Sequence, residues 1–236
     1  MEPLPPYTAV VLAGGRAARL GGRAKPQLQV GGRTMLAAVL DAVADAADRV
    51  VVGPPQPVPD GVLVVREQPP GGGPVAALRA GLAEVSTDVV AVLAGDLPFL
   101  TAAVVAELRA RLTGDGVLVV DHGGRDQWLL GVWRTAALRT AVAGPAGPTS
   151  LRRVLGPLSP QRLRPAVEPG RPPPWTDCDT PAELARARAA AGDPVRPVPA
   201  PAPDPVEPAE PVEPVQPVEQ ARRPVVWPQF TAPGDG

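Results

Sequence analysis

Four runs in the first hundred residues, TAVVLAG (8–14), RVVVG (49–53), GVLVVRE (61–67) and DVVAVLAGD (88–96), are apolar at consecutive positions and bounded by turn residues. A strand of this kind is buried on both faces, so it needs a helical layer above and below it. The intervening segments supply those layers: TMLAAVLDAVADAA (34–47) and GPVAALRAGLAEV (73–85) carry helical patterning. The alternation continues with a helix at 101–112, strands at 116–121 and 127–133, helices near 135–143 and 149–155, a last strand near 162–167, and a helix from about Thr180. The expectation is an α/β fold of three layers around a mainly parallel sheet, occupying residues 1–193. Right-handed crossovers then put the loops that follow the strands at one edge, where ligands of such sheets bind.

From Pro194 the pattern stops. PVRPVPAPAPDPVEPAEPVEPVQPVEQ places proline at nearly every second or third position, which removes backbone donors and leaves too little clustered apolar surface for a core. Residues 194–236 are therefore expected as a disordered, acidic, Pro-rich tail. Its end, RRPVVWPQFTAPGDG, offers Trp227 and Phe230 as a docking motif for a protein partner, although chain ends are more often unstructured. The tail carries three basic and six acidic residues, a charge of -3, so the whole-chain charge of -1 leaves +2 on the first 193 residues. Such a balance argues against nucleic acid or membrane held by bulk electrostatics and favours a small, discrete ligand. One cysteine, Cys178, excludes an internal disulfide framework. The start MEPLPPYTAVVLAGG lacks a basic leader and no apolar run reaches spanning length, so a cytoplasmic location is expected.

Among 23 Lys and Arg residues, Lys25 is the one lysine, and the chain has no isoleucine or asparagine. That pattern indicates GC-biased coding, under which surface lysines drift to arginine. A position that needs a compact ammonium on a flexible stem does not accept a planar guanidinium. Lys25 ends the segment LAGGRAARLGGRAK, where strand gives way to Gly14 and Gly15, then Arg16, Arg19, a second glycine pair and Arg23. Glycines let backbone N–H groups approach a polyphosphate, and the cations add charge around it. Neither GxGxxG nor GxxxxGK[ST] is present, so the dinucleotide and P-loop readings lose support.

Two acidic positions complete the pattern. In VVAVLAGDLPFL, Asp96 follows a buried strand; a Mg²⁺ ion carrying phosphate oxygens suits a carboxylate there, and the alternative is a cap for the next helix, a role Thr101 can fill. In WTDCDTPAEL, Asp177 and Asp179 precede a helix for which Thr180 is the N-cap and Pro181 sits near N1. Residues two apart in extended chain point the same way, so both carboxylates are candidates to face a cation.

Taken together these segments resemble the nucleotidyltransferase family that includes the molybdenum cofactor guanylyltransferases. The resemblance spans roughly residues 8–191: LAGGRAARLGGRAK is similar to the family's LAGGxxxRMGxxK signature, GGGPVAAL to its GP-loop, GDLPFL to its acidic metal motif and DTPAEL to its closing segment. It implies a Rossmann-like nucleotidyltransferase fold and an enzyme that moves NMP from an NTP, GTP favoured, to a phosphorylated acceptor such as molybdopterin cofactor. By the same resemblance the backbone of Leu12, Ala13, Gly14 and Gly15 holds the phosphates, Arg19 and Lys25 neutralise them, Gly73 and Pro74 border the base, and Asp96 binds Mg²⁺; Asp179, where the family often has asparagine, is a candidate second metal ligand.

Departures leave the base open. Leu20 stands for the usual methionine, the GP-loop lacks its second glycine, and Asp177 and Asp179 stand where guanylyltransferases often have asparagine, as in the cytidylyltransferase branch. Glu67 suits guanine N1 and N2, whereas Gln68 serves cytosine equally. In GGRDQWLLGVWR (123–134), Arg125, Asp126, Gln127 and Trp128 are candidates to line the acceptor pocket, with Trp128 and Trp133 more simply read as core. His122, the one histidine, reads as a loop residue. The rivals are a sugar-phosphate or isoprenoid-pathway nucleotidyltransferase and a non-catalytic nucleotide-binding scaffold.

Overall fold

A computed structural model of the chain describes residues 4–14, 24–144 and 149–193. The Pro-rich segment 194–236 and residues 15–23 of the glycine-rich loop, with Gly15, Arg16, Arg19, Leu20 and Arg23, lie outside the described residues.

The valine-rich runs form β1 (Tyr7–Leu12), β4 (Asp48–Val52), β5 (Val62–Val65) and β6 (Val89–Ala94), separated by α1 (Met35–Ala42) and α2 (Gly73–Ala83). Then come α3 (Ala102–Arg111), β7 (Gly116–Val120), β8 (Asp126–Arg134), α4 (Thr135–Val142), α5 (Leu151–Leu155), β9 (Gln161–Leu163) and α6 (Pro181–Ala190). Seven strands make one sheet in the order β5-β4-β1-β6-β8-β7-β9. All neighbours are parallel except β8, which runs antiparallel to both β6 and β7. The reason is local: only Asp121 to Arg125 separate β7 from β8, and so short a link makes a hairpin, never a parallel crossover. Gly124, at φ 80°, supplies the left-handed turn residue.

Successive strand residues feed opposite cores, as the period of two requires. Tyr7, Ala9 and Val11 of β1 join Leu36, Val39 and Leu40 of α1 and Val104, Val105 and Leu108 of α3 on one face. Val10 and Leu12 join Val75, Leu78 and Leu82 of α2, Leu138 and Val142 of α4, and Leu151 and Leu155 of α5 on the other. Each such side chain contributes roughly 1.5–3 kcal/mol when removed fully from water, which is why a strand apolar at every position has no stable place except between two helical layers.

Long polar side chains join the helices. Arg79 of α2 donates to the carbonyls of Val142 and Gly144 at the end of α4, while Arg139 of α4 donates to those of Leu82 and Val85 at the end of α2. Each helix thus satisfies the orphan carbonyls at the other's C-terminus. The Tyr7 hydroxyl donates to Asp45 at 2.5 Å, and the Arg109 guanidinium lies 4.1 Å above the Tyr7 ring while pairing with the same carboxylate. Burial, then the Asp45 hydrogen bond, push the Tyr7 hydroxyl well above the ordinary tyrosine range.

Three local differences from the sequence expectation have plain causes. The helix expected over 34–47 ends at Ala42, beyond which Asp45 turns to Tyr7 and Arg109. The strand expected over 162–167 ends at Leu163, since Pro165 has no N–H for the ladder. An additional hairpin, β2 (Gln29–Val30) with β3 (Arg33–Thr34), turns on Gly31 and Gly32, both at positive φ. Among the described residues no helix is long and apolar enough to cross a membrane.

Candidate active site

Parallel pairing aligns Leu12 with Val52 on one side and with Ala94 on the other, so the loops after β1, β4 and β6 leave the sheet side by side. Two glycines keep them in contact. A Cβ on Gly53 would stand 2.8 Å from the Ala13 carbonyl oxygen, and one on Gly95 3.0 Å from the Ala13 Cβ. Leu12 and Ala13 are buried, and the Ala13 N–H donates to the Val52 carbonyl at 2.8 Å. Within the described part of the glycine-rich stretch, Gly14 is therefore where the backbone first leaves the sheet's hydrogen bonding.

Lys25 opens a 3₁₀ turn, Lys25–Gln27, with buried Pro26 behind it. Its ammonium donates to Asp96 Oδ2 and, at 2.5 Å, to Asp179 Oδ1. These partners lie 71 and 154 residues away in sequence. The lysine side chain is 14% exposed, Asp96 20% and Asp179 65%, so the cluster sits at the sheet edge with one open side. Burial pulls Lys25 down, but the Asp96 and Asp179 carboxylates outweigh it and hold the ammonium above the ordinary lysine value. A second link steadies the turn: Gln27 donates to the Gln56 side-chain oxygen at 3.0 Å, and Gln56 donates to the carbonyls of Ala13 and Pro54.

Capping is settled elsewhere. Thr101 accepts from Val104 N–H at the start of α3, so Asp96 is free of that duty. Thr180 and Glu183 form a reciprocal capping box at α6, which fixes the backbone beside Asp179. Thr180→Ala is expected to cost about 1 kcal/mol of stability, read as a lower urea midpoint with an unchanged m-value.

Asp177 is exposed and lines a cleft of about 470 Å³ that runs along α6. Although much of the residue meets solvent, partial desolvation of the carboxyl at the cleft wall, then the Asp179 carboxylate, push it up against the pull of Lys25. Cys178 between them turns into a small core with Leu28, Met35 and Leu184. Burial pushes that thiol up to about 11, and the side chain packs as a small apolar group.

The other expected site residues are spread along the edge. Glu67, Gly73 and Pro74 flank the β5–α2 loop, two strands from β1; Glu67 accepts from Gly71 N–H at 2.9 Å, and Gly73 needs its φ of 84°. From Arg125 into β8, alternation splits the residues expected at the acceptor pocket. Arg125 and Gln127 line the cleft, whereas Asp126 is held by a bidentate Arg162 and Trp128 packs on the second core. Trp133 is wholly buried. His122 meets the Trp175 ring edge-on, with centroids 4.9 Å apart. Sequence reasoning passed over Trp175 and Arg186 in this cleft. Trp175 lies two residues from Asp177 and Arg186 three beyond Glu183, spacings that share a face in strand and helix respectively.

The profile of the MobA-like NTP transferase domain matches residues 9–163. The chain belongs to this family. Among curated members it is 33% identical over 136 residues to a molybdenum cofactor guanylyltransferase of Bradyrhizobium sp., covering 52% of this chain and 64% of that protein. A second, from Pseudomonas syringae, is 30% identical over 178 residues, covering 72% and 88%. The chain thus spans a little under two thirds of the first relative's length. Molybdopterin-guanine dinucleotide biosynthesis protein A from Archaeoglobus fulgidus shares the fold, with a TM-score of 0.61 at 17% identity over 78% of this chain and 98% of that one. The family match takes in β1 through β9 and so contains Lys25 and Asp96; Asp179 lies beyond it.

Proposed function

We propose that this protein transfers a guanylyl group from GTP to the terminal phosphate of a molybdenum cofactor acceptor, releasing pyrophosphate. The observation that carries the reading is the meeting of Lys25, Asp96 and Asp179 from three segments distant in sequence, at the edge where β1 and β6 end. The names of the curated relatives support the choice of base and acceptor.

An acceptor phosphate is already anionic at neutral pH, so no side chain has to act as nucleophile or base. The rate then depends on placing two phosphates together and neutralising their repulsion. Lys25 is built for this: it stays protonated, and Gln27, Gln56 and Pro26 hold its turn against the Ala13 loop. Asp96 and Asp179 fit Mg²⁺, because both already direct carboxylate oxygens at one cation, and Mg²⁺ is typically bound by one or two carboxylates with phosphates completing its shell. When bound, the ion would withdraw charge from the reacting phosphoryl group.

The test is pyrophosphate release by the full chain with Mg²⁺, molybdopterin-type acceptor and each of the four nucleoside triphosphates. Turnover is expected with GTP and is expected to vanish on chelation of the metal. Turnover with CTP alone would replace guanylyl by cytidylyl transfer, and silence with all four would overturn nucleotidyl transfer to this acceptor.

A further inference from the structure

The main sheet ends in β5 on one side and β9 on the other, and the sequence treats these two edges differently. An open edge offers unpaired N–H and C=O groups to any other strand, and proteins guard it with charge, proline or very short strands. β9 is guarded: it has three residues, with Gln161 and Arg162 exposed. β5 is VLVV, with no charge or proline in it. Val62 and Val64 pack on the first core and Val65 on the second. Leu63 joins neither and is 46% exposed, more than any other large apolar side chain among the described residues.

Backbone direction fixes what this edge can accept. The Gly53 N–H donates to the Val65 carbonyl at 2.9 Å, so Val65, and Leu63 two residues before it, turn their backbone groups toward β4. Val62 and Val64 then turn theirs outward. The Val62 N–H is taken up by the Pro59 carbonyl at 3.3 Å, which leaves the Val62 carbonyl and both Val64 groups open at the edge. A second β5 brought up by a two-fold axis would run antiparallel to the first, and the alternation allows the axis to pass at Leu63. There the Val64 N–H would donate to the Val62 carbonyl of the second copy, twice by symmetry, and the two Leu63 side chains would meet as the closer, non-hydrogen-bonded kind of pair. The same register sets Asp60 opposite Arg66 of the second copy. Both residues are exposed, and neither has an ion-pair or hydrogen-bond partner among the described residues.

We infer that β5 is a contact between two copies of this chain: each adds its β5 antiparallel to the other, centred on Leu63, with Asp60 and Arg66 paired at both ends. Charge complementarity selects this occupant and this register. An axis at Val62 or Val64, the neighbouring positions the alternation allows, would put Val64 or Gln68 opposite Asp60 and separate the two Leu63 side chains. The contact is only two short strands wide, so the dimer belongs to the weak, concentration-dependent class. It stands apart from the transferase reading, which survives its failure.

Sedimentation equilibrium of the full chain over a dilution series measures the association, and amide exchange at Val64 reports on the edge itself. The wild type is expected to dimerise, with protection of Val64 that fades on dilution. Leu63→Lys brings two ammonium groups together at the axis, and Asp60→Arg or Arg66→Asp turns two cross-strand attractions into repulsions; each is expected to weaken association about tenfold or more. The double variant Asp60→Arg with Arg66→Asp is expected to restore it, because the pairs re-form with their ends exchanged. All three positions are exposed, so melting temperatures at high dilution should match the wild type. A wild type that is monomeric at every concentration, a dimer indifferent to these variants, or a double variant no better than the single ones would overturn the inference. So would Val64 protection that persists at every dilution, the sign of a cover other than a second copy.

Discussion

Asp96→Ala is expected to lower pyrophosphate release by about 10²–10³-fold, the usual consequence of removing one preorganised charge-stabilising group from a reaction centre. The fold survives the change. Asp96 stands past the end of β6 and outside both main cores, and Lys25 keeps Asp179 as a partner. Lys25→Ala has a loss of the same order and a different structural signature, because it leaves Asp96 and Asp179 facing each other with no cation between them. Lys25→Arg does not restore the rate: the planar fork is wider than an ammonium and is fitted to bidentate pairing with one carboxylate, not to two that converge from separate segments. If, as proposed, the two residues serve the same phosphates, Asp96→Ala with Lys25→Ala is expected to be little worse than either alone. Transfer rates and thermal unfolding of the four variants and the wild type decide the matter. Full activity in Asp96→Ala would sink the assignment, and a collapsed melting temperature would make the residue structural.

The largest effect on stability is expected at Trp133. Its indole lies across β7 and β8 on a shelf left by two glycines: a Cβ on Gly116 would fall 2.1 Å from Trp133 Cε3, and one on Gly131 3.0 Å from Nε1. Gly116 is the cross-strand partner of Trp133, so no other residue type leaves room for the ring there. Trp133→Ala is expected to cost about 3–5 kcal/mol, from lost burial and a cavity in the second core. Gly116→Val costs roughly 1–3 kcal/mol or more by overpacking. The pair should be strongly coupled. In a Trp133→Leu background the ring is gone, and Gly116→Ala becomes much cheaper than in the wild type, with a coupling of about 0.5–3 kcal/mol. Trp133→Phe should be mild, since the indole N–H is buried with no partner among the described residues and the phenyl ring removes that orphan donor. Urea midpoints across this cycle measure the coupling, and additive losses would show that the glycine shelf is not the cause.

Much of the architecture was legible beforehand. The apolar runs became strands within a residue or two of the expected places, because burial on both faces dictates consecutive valines. Thr101 and Thr180 cap where expected, since capping depends on residues three apart. Lys25 stood out because a biased composition had removed every other lysine. Other features were hidden by distance or by small scale. The hairpin at Gly31 and Gly32 has strands of two residues each, too short to show a period. The split of Arg125 and Gln127 from Asp126 and Trp128 follows strand alternation, yet which pair would face the cleft depended on α6 packing nearby.

Local chemistry therefore specified the strands, helices, caps and glycine turns, whose energies depend on neighbours a few residues apart. It did not specify that an ammonium at 25 would meet carboxylates at 96 and 179, that Gly116 would make room for Trp133, or that α6 would close a cleft against β8. Those contacts depend on strand order and helix placement, which are set by burying both cores at once, and no short segment contains that sum.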